Sequence, residues 1–471
     1  MKRLALVLMV STLLLVGGPA IAEMCTIDAV PAATLLLPYF EVDLNSSNGT
    51  NTIFSINNAS AAPALAHVTL WTDWSYPSID FDVFLTGYDI QIVNLRDVFE
   101  NGNLPLTADD QSDPGDTISP HGNDPAYLPW HPEWDGDFQD CQDFFPFYIN
   151  PLVVGDNFQR LVDGHTGQLV APIGGCIGAD YGDNIARGYI TIDSANRCST
   201  EFADDPDYFG GGDPVANNNN QLWGEYFILD PTNDFAQGEP LVHIEAEDGF
   251  DGSANGYTFY SRYTSADGND DNREPLGATW GARYLNNAAF SGGTNFLVWR
   301  DSTSLDIDPA GYACGAPGSL AAGPSWHPLN EVEVIAFDEF ENATELCRAG
   351  PGGVISPPSP GSDSACFPLE TQNISSTNLA FSGIQSPWGS GWMFLNLAVG
   401  DDTGVDGNFN PVYAEGAQSY VAVSHSANGR YSVGLQAVEL TSACSDSDLT
   451  LTDVCDPQFP GGPAVPCVID N

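Results

Sequence analysis

The sequence predicts an all-β fold: two β-sandwich units, immunoglobulin-like or jelly-roll-like, carrying long disulfide-bonded loops. Three observations lead there. Short stretches of apolar and polar alternation recur and are separated by turn residues, as in His67 to Thr72 and Phe81 to Leu85. Aspartate outnumbers glutamate 45 to 18, and because Asp favours turns and caps where Glu favours helix interiors, long surface helices are not expected. Ten cysteines, all beyond residue 22 and none spaced C-x-x-C, read as five disulfides in an exported chain.

Taken in order, residues 1–22 have the layout of a secretory signal: Lys2 and Arg3, an apolar run from Leu4 to Val16, and Ala20-Ile21-Ala22 before Glu23. Residues 23–100 hold the first strands, at 52–56, 66–71, 81–85 and 90–95, with the alternation of half-buried strands. Residues 101–185 form a loop-rich acidic insertion with Trp130 and Trp134 and a short helix expected near 157–163. Residues 186–345 supply a second sandwich, with strands at 188–192, 226–229, 241–245, 257–262, 296–300 and 332–337. Residues 346–471 supply C-terminal strands at 392–399, 420–424 and 431–440 and a cysteine-containing tail, where Cys444 with Cys455 or Cys467 are the near-neighbour pairings. Cys176 with Cys198 is the corresponding near-neighbour pair earlier in the chain.

The formal net charge is −51, and the cause is a shortage of cations: Lys+Arg is 12, with Lys2 the single lysine. Such a chain repels phosphate backbones, so a nucleic-acid partner is excluded. No stretch beyond the signal approaches the about 20 apolar residues of a spanning helix. The expected location is therefore extracellular or periplasmic, after cleavage near Ala22.

Several segments, Pro31 to Phe40, Ala66 to Trp74, Leu85 to Asp89 and Asp183 to Tyr189, resemble segments of uncharacterised secreted bacterial proteins. The resemblance runs through most of the mature chain. It implies export and a bacterial source, and it carries no activity, cofactor or site.

The common hydrolase, protease and nucleotide motifs are absent: there is no G-x-S-x-G, H-E-x-x-H or G-x-x-x-x-G-K. Acid pairs at i and i+2 on strands remain, Asp80 with Asp82, Asp306 with Asp308 and Glu331 with Glu333. Such residues share a face about 7 Å apart, a separation used by inverting glycosidases and equally found on any solvated strand face. His243 with Glu245 is half of a metal site that would need distant ligands such as His121, His131 or His327. Trp71 with Trp74, and Trp130 with Trp134, have the residue type that stacks on sugar rings or anchors loops. Oxygen-rich loops are the candidate calcium sites: Asp135 to Asp143; Asp267, Asn269, Asp270 and Asp271; and Asp401, Asp402, Asp406 and Asn408.

The expected function is a non-enzymatic envelope or extracellular protein, structural or adhesive, whose partner is a surface polysaccharide or another envelope protein. The alternative is a carbohydrate-binding protein or glycoside hydrolase that uses Trp130, Trp134 and nearby acids. A metal-dependent enzyme is the third reading.

Overall fold

The computed structural model describes residues 27, 29–105, 153, 155–247, 257–264, 271–304, 307–348, 366–376, 388–405, 411–413 and 417–440. The first strands are β1 (Thr34–Asp43), β2 (Asn51–Asn58), β3 (Ala64–Trp71), β4 (Pro77–Leu85) and β5 (Ile90–Asn94), followed by helices α1 (Leu95–Asn101) and α2 (Gly155–His165). Next come β6 (Ile185–Ala195), β7 (Leu222–Trp223), β8 (Glu225–Asp230), β9 (Phe235–Pro240), β10 (Val242–Ile244) and the single helical turn α3 (Ser261–Thr264). The remainder is β11 (Thr279–Leu285), β12 (Gly293–Arg300), β13 (Glu333–Asp338), β14 (Ala343–Arg348), β15 (Thr371–Ser375), β16 (Ser390–Asn396), β17 (Gly400–Val405), β18 (Pro411–Tyr413), β19 (Ser419–Ala427), β20 (Tyr431–Gln436) and β21 (Val438–Glu439).

The protein is mostly β, in several antiparallel sheets. One sheet runs β10-β1-β6-β3-β4, a second β5-β2-β8-β9 with β7 beside β2, a third β14-β13-β16-β11-β21 and a fourth β15-β12-β19-β20. Strands from the first hundred residues thus share sheets with strands that follow residue 184. The continuous apolar run Leu35-Leu36-Leu37 makes β1 a strand buried on both faces. Pro38, which cannot donate to a ladder, falls where the register with β6 shifts between Leu37 and Phe40. Strands β12 and β15 lie against β1 and β6, and β20 lies against β9, where Ser432 bonds the backbone of Ala236. One apolar cluster reaches from Ala32 to Ala437 through these sheets. No helix among the described residues is long and apolar enough to cross a membrane.

Three expectations need correction. Strands β3 and β4 are not half-buried: His67, Thr69 and Trp71 are as buried as Val68 and Leu70, and Asp82 and Phe84 as buried as Phe81, Val83 and Leu85, because both faces of the sheet are covered. The stretch 257–262 is not a strand; Tyr263 and Thr264 donate to the Tyr260 carbonyl and close the turn α3, so its aromatics face the first sheet rather than line a ladder. Cys176 bonds Cys314, 138 residues away, and not its neighbour Cys198, which is itself disulfide-bonded.

Candidate functional site

Register places the site. Across the first sheet, Thr34 of β1 is opposite Asp193 of β6, Asp193 is opposite His67 of β3, and His67 is opposite Asp82 of β4. Residues opposed in this way project to the same face, so four polar side chains form one transverse row. Asp80 joins it from two positions along β4. The sequence alternation that sets His67 apart from Val68 is real, but the polar face looks into a roof instead of solvent.

That roof comes from the segments around Tyr208, 258–264 and 271–273. The hydroxyls of Tyr208 and Tyr260 each donate to Asp193 Oδ2 at 2.8 Å, and Thr34 donates to Oδ1. Arg273 donates its Nε–H to Thr34 at 2.6 Å, and its other nitrogens donate to the carbonyls of Asp271 and Asn217. Asp193, Tyr208, Tyr260 and Arg273 are the residues that sequence reading missed. The available signal was an acid inside the apolar strand pattern Ile190-Thr191-Ile192-Asp193.

His67 is the centre of charge. Its Nδ1 donates to Asp82 Oδ1 at 2.9 Å, and Asp82 Oδ2 accepts the Ser199 N–H at 3.1 Å. Burial alone would lower its pKa, but the charge and hydrogen bond of Asp82, with the charges of Asp80 and Asp193, raise it to about 9. It is an imidazolium at neutral pH. Asp80, 3.9 Å from His67 Nε2, is pushed by burial to about 6. A histidine so charged is a poor general base, and at 0% exposure it faces no substrate.

Ser78 and His165 have the contact of a nucleophile and its base, with Oγ 2.7 Å from Nε2. Their surroundings oppose that reading. Nδ1 of His165 lies 2.7 Å from the Arg187 carbonyl, not from a carboxylate, and the Leu70 carbonyl, 3.0 Å from Ser78 Oγ, competes for the single hydroxyl proton. Burial lowers His165 to about 4, so it is neutral, and both side chains are buried. The pair ties α2 to β4.

Two more ionic clusters join the sheets. Arg262 forms a double hydrogen bond to Glu370, at 3.0 and 2.8 Å, with Asp301 3.2 Å away. Arg300 donates to the carbonyls of Leu397, Phe367 and Asn330 and lies 3.8 Å from Glu331. Burial pushes Glu331 and Glu370 above the ordinary carboxylate range and pulls Arg300 down to about 10, where it stays charged at neutral pH.

The candidates from sequence separate clearly. Asp80 and Asp82 are brought together on His67. Glu331 and Glu333 are buried, so they are not a solvated face, and Asp308 is an exposed turn residue. Trp71 is stacked between Tyr189 and Tyr263, and Trp74 packs edge-on against Tyr312 and His327, so neither offers a face to a sugar. His243 is buried on β10, apart from His327. Asp271 is 1% exposed, and its carboxylate accepts from Thr258, Thr264 and the Arg273 N–H. Asp401 and Asp402 lie on β17. Trp130, Trp134, Asp267, Asn269, Asp406 and Asn408 lie outside the described residues. Among the described residues no group of three or more His, Cys, Asp or Glu is placed to hold a metal ion.

Among the described residues, one open cavity adjoins the row at Arg273 and another lies apart from it, between the second and fourth sheets. One, of about 620 Å³, has Arg273 in its wall with Phe209, Asn196, Asn217 and Asn219. The other, of about 380 Å³, lies between β8 and β9 on one side and β12 and β15 on the other. No family model, curated protein or solved structure matches the chain.

Proposed function

We propose that the protein is a non-enzymatic, exported envelope or extracellular protein, structural or adhesive, whose sheets stack as β-sandwich units. One observation carries the reading. The best acid–base constellation of the described chain, His67 with Asp80 and Asp82, is roofed by tyrosines and holds its histidine charged, which is what a buried brace needs and a general base does not. The signal-like residues 1–22, the disulfide-bonded cysteines and the charge of −51 agree with life outside the cytoplasm, in the extracellular space or periplasm. The partner we favour is a surface polysaccharide or another envelope protein. A carbohydrate-binding form of this reading is supported by the amide-lined cavity between β9 and β12.

The test uses mature protein on immobilised polysaccharides such as cellulose, chitin and dextran, with reducing ends assayed in parallel. Retention without release of reducing sugar is the expected result. Release that rises with protein concentration would overturn the non-enzymatic reading, and absence of retention on every polymer and on intact source cells would overturn the adhesive one. N-terminal sequencing of secreted material should begin at Glu23.

A further inference from the structure

The 380 Å³ cavity is built by strands of three sheets: Glu41 comes from β1, Phe235 and Gln237 from β9, Asn295 and Leu297 from β12, and Asn373 from β15. In-register pairing of Leu297 with Asn373 puts these two on the same face, with Asn295 two positions along β12. Gln237 is 1% exposed, yet neither its amide nitrogen nor its amide oxygen has a hydrogen-bond partner. Leaving both unpaired is costly in a folded protein. The fold nevertheless makes room for this side chain: a Cβ at Gly434 of β20 would sit 2.9 Å from Gln237 Cγ. The side-chain amides of Asn295 and Asn373 make no hydrogen bond among the described residues.

We propose that this cavity binds a neutral sugar ring, with Gln237, Asn295 and Asn373 as its polar contacts and Phe235 as its apolar wall. The inference deepens the adhesive reading and rests on it for its role. An unpaired carboxamide offers a donor and an acceptor side by side, and vicinal hydroxyls answer both, whereas a cation answers only the oxygen. An anion is disfavoured because Glu41 and Asp230 line the cavity and no Lys or Arg does. Those two carboxylates are already engaged, Glu41 with Tyr39 and Asp230 with Thr232 and Asn233. The volume lies near the lower end of the about 300–1,000 Å³ of small-molecule sites, which suits one ring better than a peptide segment. The Gln237 amide is almost wholly covered in place, so it must turn about its flexible stem to meet the ligand.

The experiment is saturation-transfer NMR and calorimetry on the full mature chain with D-glucose, D-galactose, D-mannose and N-acetyl-D-glucosamine, one at a time. At least one should bind, and Gln237→Leu should weaken it tenfold or more while leaving the melting temperature equal or higher, because an orphaned amide is removed. If Gln237→Leu does not fold, the Asn295→Ala/Asn373→Ala variant carries the same expectation of a tenfold loss. No binding by any of the four sugars, binding unchanged in the variants, or displacement of the sugar by spermidine or a neutral dipeptide would overturn the proposal. Retention on polysaccharide without free-sugar binding counts against the cavity alone; sugar binding without retention counts against the adhesive reading alone.

Discussion

Raising the pH through 9 should loosen the fold because of one residue. His67 is buried, with Nδ1 2.9 Å from Asp82 and Nε2 3.9 Å from Asp80, and its pKa is raised from 6.5 to about 9. The folded state then holds a proton that the unfolded state has released between those values. The resulting stabilisation is complete below pH 6.5, amounts to about 3 kcal/mol, and is lost as the pH rises through 9. Asp73 and Glu439, raised to about 7, and Asp80 and Asp204, raised to about 6, finish titrating lower. His165 and His327, lowered to about 4, change nothing above 6.5. Lys2 is the single lysine of the sequence, and burial holds Tyr208 and Tyr260 above 10. Between pH 7.5 and 9.5 the histidine is therefore the main described group in transition, and about 2 kcal/mol of its contribution falls in that window. Urea unfolding at half-unit steps should show that loss, and His67→Gln should flatten it. A flat profile in the wild type, or the same slope in the variant, would refute the account of His67 as a buried imidazolium.

Asp73 acts in a lower window: its pKa is raised by burial to about 7 although it accepts the Ala179 N–H at 2.9 Å, so stability falls as the pH rises from about 4 through 7. Asp73→Asn keeps the acceptor and should remove up to about 4 kcal/mol of that fall, read by melting at pH 4.5 and 7.5. Replacing Cys176 and Cys314 together by serine opens a loop of 138 residues. It should cost about 3 to 5 kcal/mol in denaturant unfolding, with no change in far-ultraviolet circular dichroism at 25 °C. Millimolar calcium should raise the melting temperature more than sodium chloride at matched ionic strength, and the Asp402→Asn/Asp406→Asn variant should reduce that increment; equal effects of the two salts would make the acidic loops solvated turns.

Much of the strand pattern was legible because alternation is local. The segments at 52–56, 66–71, 188–192 and 420–424 all fall inside observed strands, and the helix expected near 157–163 is the core of α2. Strand β1 was not legible as a strand, since a run such as Leu35-Leu36-Leu37 has no period and reads equally as any buried segment. The burial of β3 was hidden for a different reason. Alternation reports that two faces differ, not that the polar one meets water, and here Tyr208, Tyr260 and Arg273 arrive from later in the chain to cover it. The pair Asp80 and Asp82 could be noticed from spacing alone. Its partner could not, because His67 reaches Asp82 through strand register, and register depends on the turn between β3 and β4 and on which edge β6 takes.

The scarcity of cations has a structural use that composition alone conceals. Arg262, Arg273 and Arg300 are buried, the last two almost completely, and each joins elements far apart in sequence: Arg262 reaches Glu370, Arg273 reaches Thr34, and Arg300 reaches the carbonyls of Asn330, Phe367 and Leu397. Arg96, also buried, does the same where β1 ends, donating to four carbonyls between Asp43 and Thr50. A guanidinium suits this role better than an ammonium, because it is weakly hydrated and its planar fork serves several acceptors at fixed angles. With seven arginines of the described residues engaged in ion pairs and a net charge of −51, carboxylates outnumber the cations left to face outward. An anionic exterior keeps like-charged polymers away and gives no advantage to neutral ones. On the adhesive reading proposed above, specific recognition would come from hydrogen bonding inside a recess, and the unpaired Gln237 amide beside Phe235 is the polar group that reading would use.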